Sequence, residues 1–335
     1  MKKSITVSAP GKLMLLGEHA VVYGRPCIVT AVNQRMKATV ELTDEPVFEL
    51  NAPDVQVLDY KKPMSELGQG DIPKGAKFVE IAVKNFFSTP EVKKMRLHLG
   101  GVAVATASEF SSKFGFGSSS ASTVCVVKAL FELFKDDLAY KQGLRVDLKK
   151  SIFEIALKTV LDIQGKGSGF DVAVAVYGGT LYFVTGGKVI ELLHIDSLPL
   201  IVGYSGIKAD TVTLINQVLE KDQDVVGDIY TNIGKLVEQA KPALLSKDWS
   251  SLGKLMNEDQ KLLENLGVSI KKLDDMILAA QNAGAYGAKL SGAGGGDCMI
   301  ALAPDDKTQA VKDGITAAGG QVIEIETNAE GVKAE

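Results

Sequence analysis

The 335-residue chain sets 37 Lys and Arg against 41 Asp and Glu, a formal net charge of -4, and is 46% hydrophobic; this is an ordinary globular composition with room for about two domains of ~150 residues. No apolar run approaches the ~20 residues of a membrane span, the opening Met1-Lys2-Lys3-Ser4 leads into no signal-peptide core, and the acidic balance disfavours nucleic acid as the principal partner. Three scattered cysteines, Cys27, Cys125 and Cys298, make neither a disulfide framework nor a zinc site, which fits a reducing cytoplasm.

The opening is β-rich: residues 5–7 and 27–32 read as short strands and 36–42 alternates in a half-buried pattern. Residues 77–87 have helical spacing and 95–105 read as a strand. Residues 119–134 read as a helix with Val124, Val127, Leu130, Phe131 and Phe134 on one side. Asp147 caps a predicted helix over 148–162, and an apolar run covers 181–184. A buried strand is expected at 198–202, then helices near 211–218, 228–245, 249–263 and 270–282, the last stopped by Gly284. The tail alternates strand segments at 288–290, 298–302 and 322–326 with a helix near 307–318. The fold class expected is α+β, with helices layered on small sheets, divided into domains 1–193 and 194–335.

Glycine makes up 34 of the 335 residues, about 10% against a usual ~7%, and it clusters where the backbone must approach something closely. Lys113-Phe114-Gly115-Phe116-Gly117-Ser118-Ser119-Ser120 ends a loop and starts a helix, so converging amides, the helix N-terminus and serine hydroxyls suit a phosphate. The alternative is a plain turn in which Ser118 or Ser119 caps the helix. Neither a Walker-type nor a Rossmann-type glycine signature is present. Ser291-Gly292-Ala293-Gly294-Gly295-Gly296-Asp297 is a second such loop between two short strands. Asp171 follows the stretch 165–170 and precedes the apolar 172–176, where a carboxylate could accept the proton of an attacking hydroxyl; Lys12 could pair with it and hold it ionised. His98 and His194 read as structural or surface residues, Cys125 and Cys298 as small core hydrophobes, and Trp249 as a packed helix start.

Pro10-Gly11-Lys12 with Gly17-Glu18-His19-Ala20-Val21-Val22-Tyr23-Gly24, then Gly115-Phe116-Gly117-Ser118-Ser119, then Ser291-Gly292-Ala293-Gly294-Gly295-Gly296 resemble the three ordered motifs of the GHMP small-molecule kinases over nearly the whole chain. The 17–24 string, the stretch 255–269 and 284–290 are similar to mevalonate kinases. That resemblance implies a ribosomal-protein-S5-like N-terminal domain, a ferredoxin-like C-terminal domain, and MgATP with a small hydroxy-acid substrate in the cleft between them. It also implies a homodimer. It makes Asp171 the catalytic base, Lys12 its partner and Ser119 a Mg²⁺ ligand. Gly115, Phe116, Gly117, Ser118, Ser119 and Ser120 would wrap the nucleotide phosphates with Gly292, Ala293, Gly294 and Gly295, while Glu18 and His19 would face the substrate. The chain departs from mevalonate kinases at 113–117, at Asp297-Cys298 and at 166–173, which is more similar to phosphomevalonate kinases. The second Mg²⁺-binding carboxylate would fall near Val160, leaving Asp162 as the nearest replacement. The activity expected is ATP-dependent phosphorylation of mevalonate, with phosphomevalonate as the alternative substrate. A non-catalytic metabolite-binding regulator on the same fold is disfavoured by intact Lys12, Asp171 and Ser119.

Overall fold

Two antiparallel strands, β1 (Ser4–Leu16) and β2 (Pro26–Thr43), form the spine of the protein. The computed structural model describes residues 3–94, 100–135, 147–196, 198–221 and 223–335. Each spine strand is much longer than its alternation predicts, because the β1–β2 register shifts at Pro10/Gly11 and again at Met14/Leu16. Each irregularity breaks the period-two pattern while pairing continues beyond it. Around the spine lie β3 (Val47–Ala52), β4 (Val57–Pro63), β5 (Gly101–Ser108), β6 (Thr180–Val184) and β7 (Val189–Leu193). The two halves of β2 pair with different partners: residues 36–43 with β5 and residues 26–30 with β6.

The helices here are α1 (Lys77–Ser88), the short α2 (Pro90–Lys94), α3 (Ser118–Leu133), α4 (Leu148–Gln164) and α5 (Phe170–Tyr177). Helix α3 lies on β1 and β2 and is flanked by α1, α4 and α5. It is therefore buried well beyond the predicted stripe, with Thr123, Cys125 and Val126 enclosed as well, as expected of a helix apolar nearly all round. Asp147 caps α4 as predicted, its carboxylate accepting from the Lys150 amide at 3.2 Å. His98 and the first part of the strand expected over 95–105 fall outside the described residues.

The second sheet is built from β8 (Leu200–Tyr204), β9 (Gly287–Ser291), β10 (Cys298–Leu302) and β11 (Gln321–Ile323), all antiparallel in the order β11-β8-β10-β9. Fourth, first, third, second is the strand order of a ferredoxin-like sheet, as the sequence resemblance implies. Its helices are α6 (Thr211–Leu219), α7 (Gln223–Leu245), α8 (Trp249–Leu266), α9 (Lys271–Asn282) and α10 (Thr308–Ala317). Strand β9 is an edge, yet its outer amides are not bare. Asn257 and Gln260 of α8 accept hydrogen bonds from Ala288 N and Leu290 N, each at 2.9 Å, so side chains do the work of a further strand.

The last residues return to the first sheet. Thr327 bridges to Val32, Glu330 to Gly178, and β12 (Lys333–Ala334) pairs with β1. The Arg35 guanidinium donates to the carbonyls of Glu330 and Gly331, both at 2.8 Å. A division at 193/194 would place this tail in the second domain; its hydrogen bonds place residues 327–335 with the first sheet. The two segments that cross between the sheets are joined to each other, Leu198 N donating to Thr327 Oγ1 at 2.9 Å and Asn328 Nδ2 to the Ile195 carbonyl at 2.5 Å. No helix among the described residues is long and apolar enough to cross a membrane.

Phe86 of α1 is fully buried, with its ring 5.1 Å from that of Phe131 and 6.1 Å from that of Phe134 at the α1–α3 seam. Phe86→Ala is expected to lower stability by about 3–5 kcal/mol, read as a shift of the urea midpoint without a change in slope.

Candidate active site

Helix α3 begins at an open end. Its N-cap is Gly117, in the left-handed region at φ 79°, and no side chain caps the helix. A plain turn capped by Ser118 or Ser119 is therefore not what forms. The first-turn amides face outward, and among the described residues no protein group is hydrogen-bonded to the hydroxyls of Ser118, Ser119 or Ser120. Gly115 is left-handed too, at φ 73°, so the loop carries two left-handed residues, either side of Phe116, that side chains would resist. Phe116 departs from its expected place at the nucleotide. Its ring is buried between Phe110 and Phe114, and its carbonyl accepts from Lys12 N at 3.0 Å. The aromatic ring anchors the loop to β1 and leaves the backbone to the ligand.

That anchor puts the loop against Lys12. The Lys12 Nζ lies 3.4 Å from Asp171 Oδ1 and 5.2 Å from the centre of the Phe170 ring, so the pairing expected from the sequence exists. A Cβ added at Gly117 would lie 3.3 Å from Lys12 Cγ and 3.5 Å from Asp171 Oδ1; the absence of a side chain there brings the helix end directly over the ion pair. Asp171 sits in the first turn of α5, a helix and not a strand as its apolar neighbours suggest. Gly169 at φ 91° starts the turn without a side-chain cap, so the Asp171 side chain stands at a second helix N-terminus. Asp171 Oδ1 is buried and has no hydrogen-bond partner. Its counter-charge is Lys12.

The 291–297 loop completes the arrangement from the other sheet. Ser291 Oγ accepts from Met14 N at 3.1 Å and donates to the Met14 carbonyl at 2.9 Å, fixing β9 to the strand that carries Lys12. His19 Nε2 is 2.8 Å from the Ala293 carbonyl; a carbonyl only accepts, so Nε2 carries the proton. Burial lowers the imidazole below its ordinary range, keeping it neutral. Gly294 packs where a Cβ would lie 2.1 Å from the Val268 carbonyl, whereas Gly292 faces open space. Asp297, left-handed at φ 53°, accepts from Ala209 N at 3.0 Å and pairs with Lys208 at 3.1 Å. A Cβ on Gly115 would come within 2.5 Å of its Oδ2. The two glycine loops therefore meet at Asp297.

Two expected site residues are placed elsewhere. The Glu18 carboxylate is turned inward, 1% exposed, onto Lys289 of β9, and faces no open cleft. Asp162 accepts from Asn85 Nδ2 at 2.9 Å and pairs with Lys158 on its own helix. It follows Val160 by two residues, about 200° around α4; Val160 is the buried one, its Cγ1 3.5 Å from a Cβ built on Gly167, so Asp162 does not replace a carboxylate on that face. Lys289 and Asp259, both fully buried, carry a charge cluster beside the site that the sequence reading missed. The signal was present: Asp259 falls on the apolar stripe of α8 with Leu252, Met256, Leu263 and Leu266, and Lys289 stands within a five-residue strand that is buried throughout.

Among the described residues no three His, Cys, Asp or Glu side chains group to hold a metal ion. The unengaged Ser119 hydroxyl at the open helix end is a hard donor, and it fits a Mg²⁺ that takes most of its ligands from phosphate oxygens and water. Cys27, Cys125 and Cys298 are free and buried, and His194 is exposed.

An uncapped helix N-terminus over a lysine–carboxylate pair, between two domains, is the layout of a small-molecule kinase. The GHMP kinases N terminal domain matches residues 78–179 and the GHMP kinases C terminal domain matches residues 240–321. The mevalonate kinase of Pyrococcus abyssi is 34% identical, the alignment covering 100% of this chain and 99% of that protein. The crystal structure of the Lin0012 protein from Listeria innocua superimposes with a TM-score of 0.85 at 24% identity, over 99% of both chains. That of the Methanococcus jannaschii mevalonate kinase gives a TM-score of 0.76 at 24% identity, covering 97% of this chain and 98% of that one. The chain belongs to the GHMP kinase family.

Asp171→Asn is expected to leave ATP binding largely intact and to lower kcat by about 10²- to 10⁴-fold, because a base acts on the transition state and not on the bound nucleotide. Lys12→Met should lower kcat as well. Equilibrium nucleotide binding beside steady-state kinetics checks both; undiminished turnover in Asp171→Asn would assign the base elsewhere.

Proposed function

We propose that this protein transfers the γ-phosphoryl group of ATP to the primary hydroxyl of mevalonate. The observation that carries the reading is the full-length match at 34% identity to an archaeal mevalonate kinase, made by a chain whose Lys12 and Asp171 stand 3.4 Å apart at the open end of α3. The substrate hydroxyl gives its proton to Asp171 as its oxygen bonds to the γ-phosphorus. The bond from that phosphorus to the bridging oxygen breaks, and ADP leaves with the electron pair. Lys12 stands 3.4 Å from Asp171, where it can stabilise negative charge that accumulates during the transfer. The amides around Gly115 to Ser119, with the α3 N-terminus, bind the phosphates. Ser119 would hold a Mg²⁺ arriving with the nucleotide, which would supply neutralisation of phosphate charge. His19, held neutral against Ala293, and the open face at Gly292 border the acceptor side. Three buried free thiols favour a reducing compartment, the cytoplasm.

Incubation of the purified chain with MgATP and, separately, mevalonate or 5-phosphomevalonate tests the reading. ADP release is expected with mevalonate. Release with 5-phosphomevalonate alone would overturn it in favour of the next kinase in line.

A further inference from the structure

Behind the site, three charged side chains are shut away from water together. Glu18 follows β1, Asp259 lies on α8 and Lys289 on β9, and none is more than 1% exposed. Lys289 Nζ pairs with Glu18, lies 3.4 Å from Asp259 Oδ2, and donates to the Leu290 carbonyl at 2.6 Å. The cluster joins the two domains, since Glu18 belongs to the first and the other two to the second. Two carboxylates share one ammonium, and Glu18 Oε2 and both oxygens of Asp259 have no hydrogen-bond partner. With all three groups ionised, a net negative charge would be buried with three acceptors unsatisfied, an arrangement that costs several kcal/mol. One proton resolves it: a neutral Asp259 becomes a donor toward Glu18, and the cluster is neutral overall.

Glu18 is tied directly to the reaction site. It stands between Gly17 at φ 107° and His19 at φ 57°, two left-handed residues of which the second is strained. His19 reaches Ala293 in the glycine loop, and Lys289 stands two residues before Ser291, which holds the strand of Lys12 through Met14. We propose that Glu18, Lys289 and Asp259 form a proton-holding positioning triad for phosphoryl transfer: with Asp259 neutral, the triad fastens the 17–19 turn to the 291–297 loop, and loss of that proton loosens the fastening and lowers turnover. The three are positioning residues, and Asp171 remains the base. The phosphoryl-transfer part rests on the kinase reading above; the proton-holding part does not.

The groups facing Asp259 are Lys289 and Glu18, with His19 and the buried Cys27 thiol next beyond Glu18. Burial pushes the Asp259 carboxyl up to about 8, Glu18 adding to the rise and Lys289 opposing it. Since this lies above the ordinary carboxylate value, the unfolded chain loses the proton first as pH rises. The stability associated with it is present below about pH 4, declines up to about pH 8, and is constant beyond, where both states have lost the proton.

The test compares the full-length wild type with Asp259→Asn, a permanently neutral isostere, and with Glu18→Gln. Without any substrate, the wild-type thermal midpoint should fall between about pH 5 and pH 8, and that of Asp259→Asn should fall distinctly less. With mevalonate and MgATP, wild-type kcat should drop about tenfold between about pH 7 and pH 9, one titrating group with a midpoint near 8, while Asp259→Asn loses less than about twofold over the same interval. Glu18→Gln removes the competing carboxylate and should move the wild-type stability decline to lower pH, a readout that stands even where Asp259→Asn does not fold. Parallel stability curves in wild type and variants overturn the shared proton. A stability difference without any difference in the kcat profiles overturns the positioning role. An absence of mevalonate turnover at every pH would count against the kinase reading alone, because the thermal arm needs no substrate.

Discussion

The active-site geometry depends on one tie between the two sheets, the reciprocal hydrogen bonds between Ser291 and the Met14 backbone at 3.1 and 2.9 Å. Lys12 lies two residues before Met14 on the same face of β1, and the glycine loop begins where β9 ends. A single serine therefore sets the distance between the lysine of one domain and the glycine loop of the other. The irregularities in β1 at Pro10/Gly11 and Met14/Leu16 bracket this segment. Between them the strand holds strict register with β2, so Lys12 is aimed by pairing and not by loop conformation.

Electrostatics explain how a chain of net charge -4 can offer positive potential at its candidate site. Positive potential is local. It comes from the uncapped end of α3, from that of α5 beneath Asp171, and from Lys12. The carboxylate of the 291–297 loop, Asp297, is offset by Lys208 and the Ala209 amide. Overall acidity and a locally positive site are therefore compatible in one molecule.

The two glycine loops, the Asp147 cap and the α+β class were legible because each rests on local chemistry: left-handed backbone, cap oxygens and apolar period. The pairing of Lys12 with Asp171 could be raised from their chemistry but not placed by it, since local pattern carries no information on which distant segments meet. Helix α5 was not legible. Its apolar run from Val172 to Val176 is short, β-branched and buried on all sides, so it carries no one-sided period to separate helix from strand. Glu18 and Asp162 were misplaced for a related reason. A carboxylate near a motif looks available for ligands until the structure reveals a lysine or an asparagine already there. Lys289 and Asp259 broke the apolar pattern of their own elements, which was the one trace of a buried cluster the sequence held.

The return of the chain's last residues to the first sheet gives the molecule a closed course. The second domain is held at both ends, and its two attachments are bonded to each other where Leu198 meets Thr327 and Ile195 meets Asn328. A body joined through two segments bonded side by side cannot swivel freely as it would on one. Any opening between the sheets is confined to bending about the stapled pair, so that a ligand entering between the glycine loops meets the same two faces at each approach.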